Sequence, residues 1–286
     1  MQTGCPSKVD AAVMLAAMNE RAHAAIGVFD SGLGGLSVLK AIRDVLPAED
    51  LMYLADSGFA PYGDRDEAFI VERSLAMVDF LLRQGAKAIV VACNTATVVA
   101  ARQLRERFDV PIVAMEPAIK PAVELTRSKV VGVLATSRTV ASPSVAALVA
   151  RYGQGVDIRL QACPGLVTQV EAGDLDGHHT RELLGQYLAP LLAAGADTLV
   201  LGCTHYPFLA PVIHELAGPM VTIVESSEAV AREVVRRTAH LRHPLHGQRE
   251  GHTQFFTTAD VADATARMSA LWGSPAHVQA VPPAGA

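Results

Sequence analysis

RQGAKAIVVACNT, residues 83–95, decides the fold, and AAGADTLVLGCTH, residues 193–205, says it again. Each stretch passes a glycine, enters a short apolar run rich in branched residues, and ends on a cysteine followed at once by small hydrogen-bonding residues. A continuous apolar run of this length suits a strand covered on both faces, as in a parallel sheet. A second pair stands in the same relation, GVFDSG at 27–32 and GVLATS at 132–137. The separations are 110 residues in the first pair and 105 in the second, close enough to read as one internal repeat.

Working outward, AIGVFD, DLMYLAD, AKAIVVAC and VPIVAM read as strands, with helical segments such as SVLKAIRDVL and FIVERSLAMVDFLLRQ between them. The pattern restarts with KVVGVLAT, GVDIRLQA, ADTLVLGC and VTIVES. Strands alternating with helices make the class α/β, and the repeat makes it two pseudo-symmetric, doubly wound lobes with mostly parallel sheets. Residues 26–115 and 225–270 are expected to form the first lobe, and 116–224 the second. Residues 1–25 read as an N-terminal extension and 271–286 as a disordered tail. RHPLHGQREGH, at 242–252, reads as a solvated loop, because no carboxylate or cysteine stands at metal-ligand spacing in it.

Composition sets limits on function. Half of the 286 residues are hydrophobic and 19% are charged, which suits a soluble globular chain with ample core. A net charge of −5 gives no reason to expect nucleic acid or an electrostatic membrane anchor. No apolar run is long enough to span a bilayer and no signal peptide is evident, so the expected location is cytoplasmic. Cys5, Cys93, Cys163 and Cys203 are too widely spaced for a disulfide framework and would stay thiols there.

Free cysteines are most often small buried hydrophobes. Cys93 and Cys203 differ because the repeat puts each at the carboxyl end of a strand, where open α/β sheets place ligands. If the lobes face each other, so do the thiols. Several nearby stretches suit a small polar guest. FDSGLGGLSVLK fails both the dinucleotide and the Walker patterns, yet its glycines allow close backbone approach and a helix start offers N–H donors to an anion. Asp30 and Ser31 there read equally as helix caps or as site residues. Pro61, Tyr62 and Gly63 suit a tight turn at the same rim. Asn94, Thr95 and Thr204 can satisfy helix N-termini or bind the ends of a zwitterion. Cysteines at helix N-termini are expected to have lowered pKa values, with His205 a further base beside Cys203. A metal would want more soft ligands, and a hydrolase needs one nucleophile rather than a mirrored pair. Two acid/base groups on opposite faces of one carbon suit a racemase, with no metal, and no cofactor is evident.

From about Ile26 to about Asp260 the chain resembles the glutamate racemases of the aspartate/glutamate racemase superfamily. The resemblance is carried by IGVFDSGLGGLSVLK, PYG, VVACNTAT, EPAIKPA, ACPGLVTQVEAG, LVLGCTHYPFL and FFTTAD. It implies cofactor-independent interconversion of L- and D-glutamate, supplying D-glutamate for peptidoglycan. It also implies a homodimer. By position, Cys93 and Cys203 resemble the two catalytic thiols, Cys93 acting on the D-isomer and Cys203 on the L-isomer. Asp30 and His205 resemble the side chains that assist them, and Glu171 a glutamate near the site. Ser31, Pro61, Tyr62, Gly63, Asn94, Thr95 and Thr204 match substrate-contacting positions, with Thr136 and Thr139 as further pocket candidates. The chain departs from the family at Ala55-Asp56, where Gly-Asp is common, and at Glu225-Ser226, where Asp-Ser is common. The alternatives are a racemase of another acidic amino acid such as aspartate, or a non-catalytic protein binding an acidic ligand or gyrase.

Overall fold

The computed structural model describes residues 23–243 and 249–282. Most of the expected N-terminal extension, the middle of the basic loop and the last four residues of the chain lie outside the described residues. The chain builds β1 (Ile26–Asp30), β2 (Leu51–Ala55), β3 (Ala88–Val91) and β4 (Ile112–Ala114), then β5 (Val130–Ala135), β6 (Asp157–Ala162), β7 (Thr198–Leu201) and β8 (Thr222–Val224). It returns to the first sheet with β9 (Thr253–Thr257) and β10 (Val278–Ala280). The sheet orders are β10-β9-β2-β1-β3-β4 and β6-β5-β7-β8, and every pairing is parallel. Both lobes therefore share the core order second, first, third, fourth, and each has a topological switch point between its first and third strands.

The repeat extends to single hydrogen bonds. The helix Glu67–Arg83 is followed by Gly85, and the helix His178–Ala193 by Gly195, both in the left-handed region. Gly85 N–H donates to Leu82 O and Ala86 N–H to Leu81 O. Gly195 N–H donates to Leu192 O and Ala196 N–H to Leu191 O in the same way. At the other end of the strand, Ala92 N–H donates to Phe29 O at 2.9 Å and Gly202 N–H to Leu134 O at 2.8 Å. These bonds fix where β3 and β7 stop, and so where the cysteine after each must sit.

Burial explains the apolar runs. In β1, Ile26 and Val28 pack on one face and Phe29 on the other; in β7, Leu199 and Leu201 face one way and Val200 the other. Each such side chain contributes roughly 1.5–3 kcal/mol on full burial, so a polar residue on either face would be costly. The chain crosses between lobes twice, after β4 and after β8. The crossings are tied where Ser226 Oγ donates to Glu116 O at 2.7 Å.

One expectation fails. Residues 271–286 are not a disordered tail as far as they are described. The helix Val261–Trp272 runs into them, and Val278–Ala280 adds a strand to the edge of β9. Ala276 and Val278 are buried there. The open edge of β9 supplies hydrogen-bond partners that the local composition does not announce.

Candidate active site

The carboxyl ends of β1, β3, β5 and β7 meet at the junction of the lobes. Ser31, Pro61, Tyr62, Gly63, Cys93, Asn94, Thr95, Thr136, Val167, Cys203, Thr204 and His205 enclose one cavity there. Its volume is about 10 Å³, room for about one water. Both thiols are buried in its wall, from opposite lobes. Among the expected residues, Asp30, Thr139 and Glu171 stand behind this wall rather than in it.

Cys93 caps the helix Asn94–Arg107, and its sulfur accepts from Ala96 N–H at 3.4 Å. Its thiol lies 3.5 Å from Ser31 Oγ as donor. The expectation of a lowered Cys93 pKa is not met. Burial, with the Asp30 carboxylate close by, pushes the thiol up, and the bonds to Ser31 and from Ala96 do not offset it. A helix N-terminus is visible in sequence, whereas the desolvation that outweighs it is not.

Cys203 has different neighbours. His205 Nδ1 is 3.7 Å from its sulfur, and His205 Nε2 is 2.6 Å from Glu171 Oε1. Burial on its own would lower the histidine pKa. The hydrogen bonds with Cys203 and Glu171 prevail and hold it well above its ordinary value, and Gly34 N–H also reaches Nε2, at 3.3 Å. Glu171 is fixed in turn by Leu33 N–H at 2.6 Å and by Ser57 Oγ at 3.2 Å, both from the first lobe. Asp30, wholly buried and therefore raised in pKa, accepts from Gly35 N–H at 2.9 Å and faces Thr204 Oγ1 at 3.4 Å. Asp30 does not cap the helix Leu36–Val45, which has no side-chain cap bond; it holds the turn before that helix at Gly35 while reaching the other lobe.

The hydroxyls of Thr95, Thr136 and Thr139 form a buried triangle across the lobes, with Thr95–Thr136 and Thr136–Thr139 each 3.0 Å. Asn94 Oδ1 is buried without a hydrogen-bond partner among the described residues. It is an acceptor that a bound ammonium or hydroxyl would satisfy. Tyr62 presents its backbone and ring edge here, because its hydroxyl donates away from the cavity to Asp56 Oδ2 at 2.5 Å. Val167 is the lining residue that sequence reasoning missed; an apolar residue in an amphipathic helix carries no functional mark. No group of three or more His, Cys, Asp and Glu side chains among the described residues is arranged to hold a metal.

The glycines have a role other than the expected one. A Cβ on Gly34 would collide with His205 and Thr204, and one on Gly32 with Glu171. They allow the two lobes, rather than a ligand, to approach closely.

Comparison with known proteins agrees with this geometry. The family described as Asp/Glu/Hydantoin racemase matches residues 26–234. A protein named glutamate racemase from Ectopseudomonas mendocina (strain ymp) is 49% identical over 263 residues, covering 91% of this chain and 99% of its own length. The crystal structure of glutamate racemase isoform RacE1 from Bacillus anthracis aligns with a TM-score of 0.80 at 32% identity, covering 91% of this chain and 98% of that one. The Escherichia coli glutamate racemase, solved with L-glutamate and the activator UDP-MurNAc-ala, aligns with a TM-score of 0.78 at 33% identity, covering 90% and 97%.

Proposed function

The chain belongs to the Asp/Glu/hydantoin racemase family and is an isomerase of glutamate, and on that premise we propose that Cys93 and Cys203 carry the reaction as opposed acid and base. The observation that supports this reading is that the two thiols line one cavity from opposite lobes, each at the equivalent strand end. With L-glutamate bound, Cys203 takes the Cα proton while His205, held by Glu171, offsets the charge. Cys93, kept protonated by burial, returns a proton to the opposite face. The reverse reaction exchanges the roles.

Ser31, Thr95 and Thr204 donate to the substrate carboxylates, Asn94 Oδ1 accepts from the ammonium, and Asp30 holds the Thr204 hydroxyl from behind the wall. Pro61, Tyr62 and Gly63 close the rim. Donors placed before reaction stabilise developing charge without reorganisation, which is the service an electron-sink cofactor would otherwise provide. The same proposal places the protein in the cytoplasm as a homodimer supplying D-glutamate for peptidoglycan. No helix among the described residues is long and apolar enough to cross a membrane.

The test follows the ellipticity of L-glutamate, and separately of D-glutamate, with no added cofactor and with a chelator present. In D₂O the early product should carry deuterium at Cα while recovered substrate does not, as two opposed groups require. Cys93→Ser and Cys203→Ser should each lower racemisation by about 10²–10⁴-fold in both directions. Wild-type protein that leaves both isomers unchanged, or that acts only on aspartate, defeats the glutamate assignment. Serine variants of wild-type activity defeat the two-thiol mechanism.

A further inference from the structure

Asp56 belongs to none of the motifs that carry the chemistry, yet its carboxylate is wholly buried and accepts four side-chain hydrogen bonds. Tyr62 Oη donates to Oδ2 at 2.5 Å. Arg73 donates from Nε to Oδ2 at 2.9 Å and from Nη2 to Oδ1 at 2.7 Å. Thr258 Oγ1 donates to Oδ1 at 2.8 Å and itself accepts from Gly58 N–H at 3.1 Å. The Arg73 guanidinium also lies over the Phe59 ring, 3.7 Å from its centroid.

These partners come from the start and the middle of one loop, from the helix after it, and from the turn after β9. The loop, residues 57–65, holds only two three-residue 3-10 turns, so no sheet ladder or long helix fixes it. It nevertheless supplies three lining residues of the cavity, Pro61, Tyr62 and Gly63. A backbone that must present groups to a substrate needs to be held from behind, and a bidentate guanidinium–carboxylate pair is a rigid way to do so.

We propose that Asp56, through Arg73 and the Tyr62 hydroxyl, is a positioning residue that holds loop 57–65 in the one conformation that closes the substrate cavity. The proposal rests on the glutamate reading of that cavity. It touches neither thiol, so it governs how often the loop is competent rather than the chemistry once substrate is bound.

Tyr62→Phe removes a single hydroxyl and leaves the ring in the core. It should raise KM for both isomers on the order of tenfold while kcat stays within about twofold, because apparent affinity falls with the competent fraction. Arg73→Lys, which keeps the charge but loses the fork, should fall between wild type and Arg73→Ala. Amide exchange of the unliganded proteins, read by mass spectrometry, should quicken at residues 57–65 in Tyr62→Phe and not in β1 or β3. A lowered melting temperature with unchanged KM and unchanged loop exchange would reduce the cluster to an ordinary core ion pair and overturn the proposal. Should wild type not racemise glutamate, the functional reading falls by itself. The exchange measurement then decides the anchoring role: faster loop exchange upholds it, unchanged exchange defeats it.

Discussion

At the scale of single residues, two glycines separate close approach from backbone conformation. Gly34 has no room for a methyl group, which would press on His205 and Thr204 of the other lobe. Gly34→Ala should therefore hold the lobes apart and misplace the His205 ring, lowering kcat/KM by about 10²-fold or more. The accompanying overpacking costs about 1–3 kcal/mol of stability. Gly85 has open space around it but a φ of +87°. Gly85→Ala should cost about 1–2 kcal/mol in urea unfolding and leave racemisation unchanged. If both variants behaved alike in the two assays, the distinction would fail. Much of the site was legible at this scale, because a strand that ends in cysteine and then Asn-Thr or Thr-His marks itself. Asp56 and Arg73 were not legible as partners, since seventeen positions of chain separate them and only the folded loop brings them together. The protonation of Cys93 was misread for a related reason: burial is a sum over the whole surroundings.

At the scale of elements, every strand expected from a branched apolar run is present, fully covered in β1, β2, β3 and β7 and only partly covered in β6 and β8. Residues 274–282 were misjudged because prolines and small residues signal disorder locally, while their order comes from outside. Val278, Gln279 and Ala280 pair with Phe255, Phe256 and Thr257 of β9, and Val281 N–H donates to Thr257 O at 2.8 Å. Ending the chain after Gly273 should uncover that edge and the packing of Ala276 and Val278. The expected loss is about 2–4 kcal/mol, seen as an earlier urea midpoint and a greater tendency to associate. Racemisation well below the transition should survive, because none of the described residues beyond 273 lines the cavity. A truncated chain as stable as the full one would mean that β10 is an ornament on the sheet.

At the scale of the whole molecule, the repeat provides two equivalent strand ends, which on the proposed mechanism deliver one group to each face of a carbon. Enantiomers have equal free energies, so kcat/KM must be the same in both directions however unlike the surroundings of Cys93 and Cys203. Those surroundings were built by closing the lobes. The cavity of about 10 Å³ is too small for an amino acid, so admitting one requires its walls to move. Closure also buries acids in their neutral form, and this has a consequence for stability. Burial raises the pKa of Cys93 and of Cys163 above the ordinary thiol value of 9.0. Above that pH the unfolded chain releases protons that the folded chain retains, so the stability they contribute is complete below about pH 9 and declines as pH rises past it. Each group adds a slope of up to about 1.4 kcal/mol per pH unit. Urea unfolding between about pH 8 and 11 should show the decline. Cys163→Ala, which removes one such thiol from outside the cavity, should make it shallower. Stability that stayed level through this range, or fell as steeply without Cys163, would mean that the thiols reach solvent more readily than the closed lobes allow.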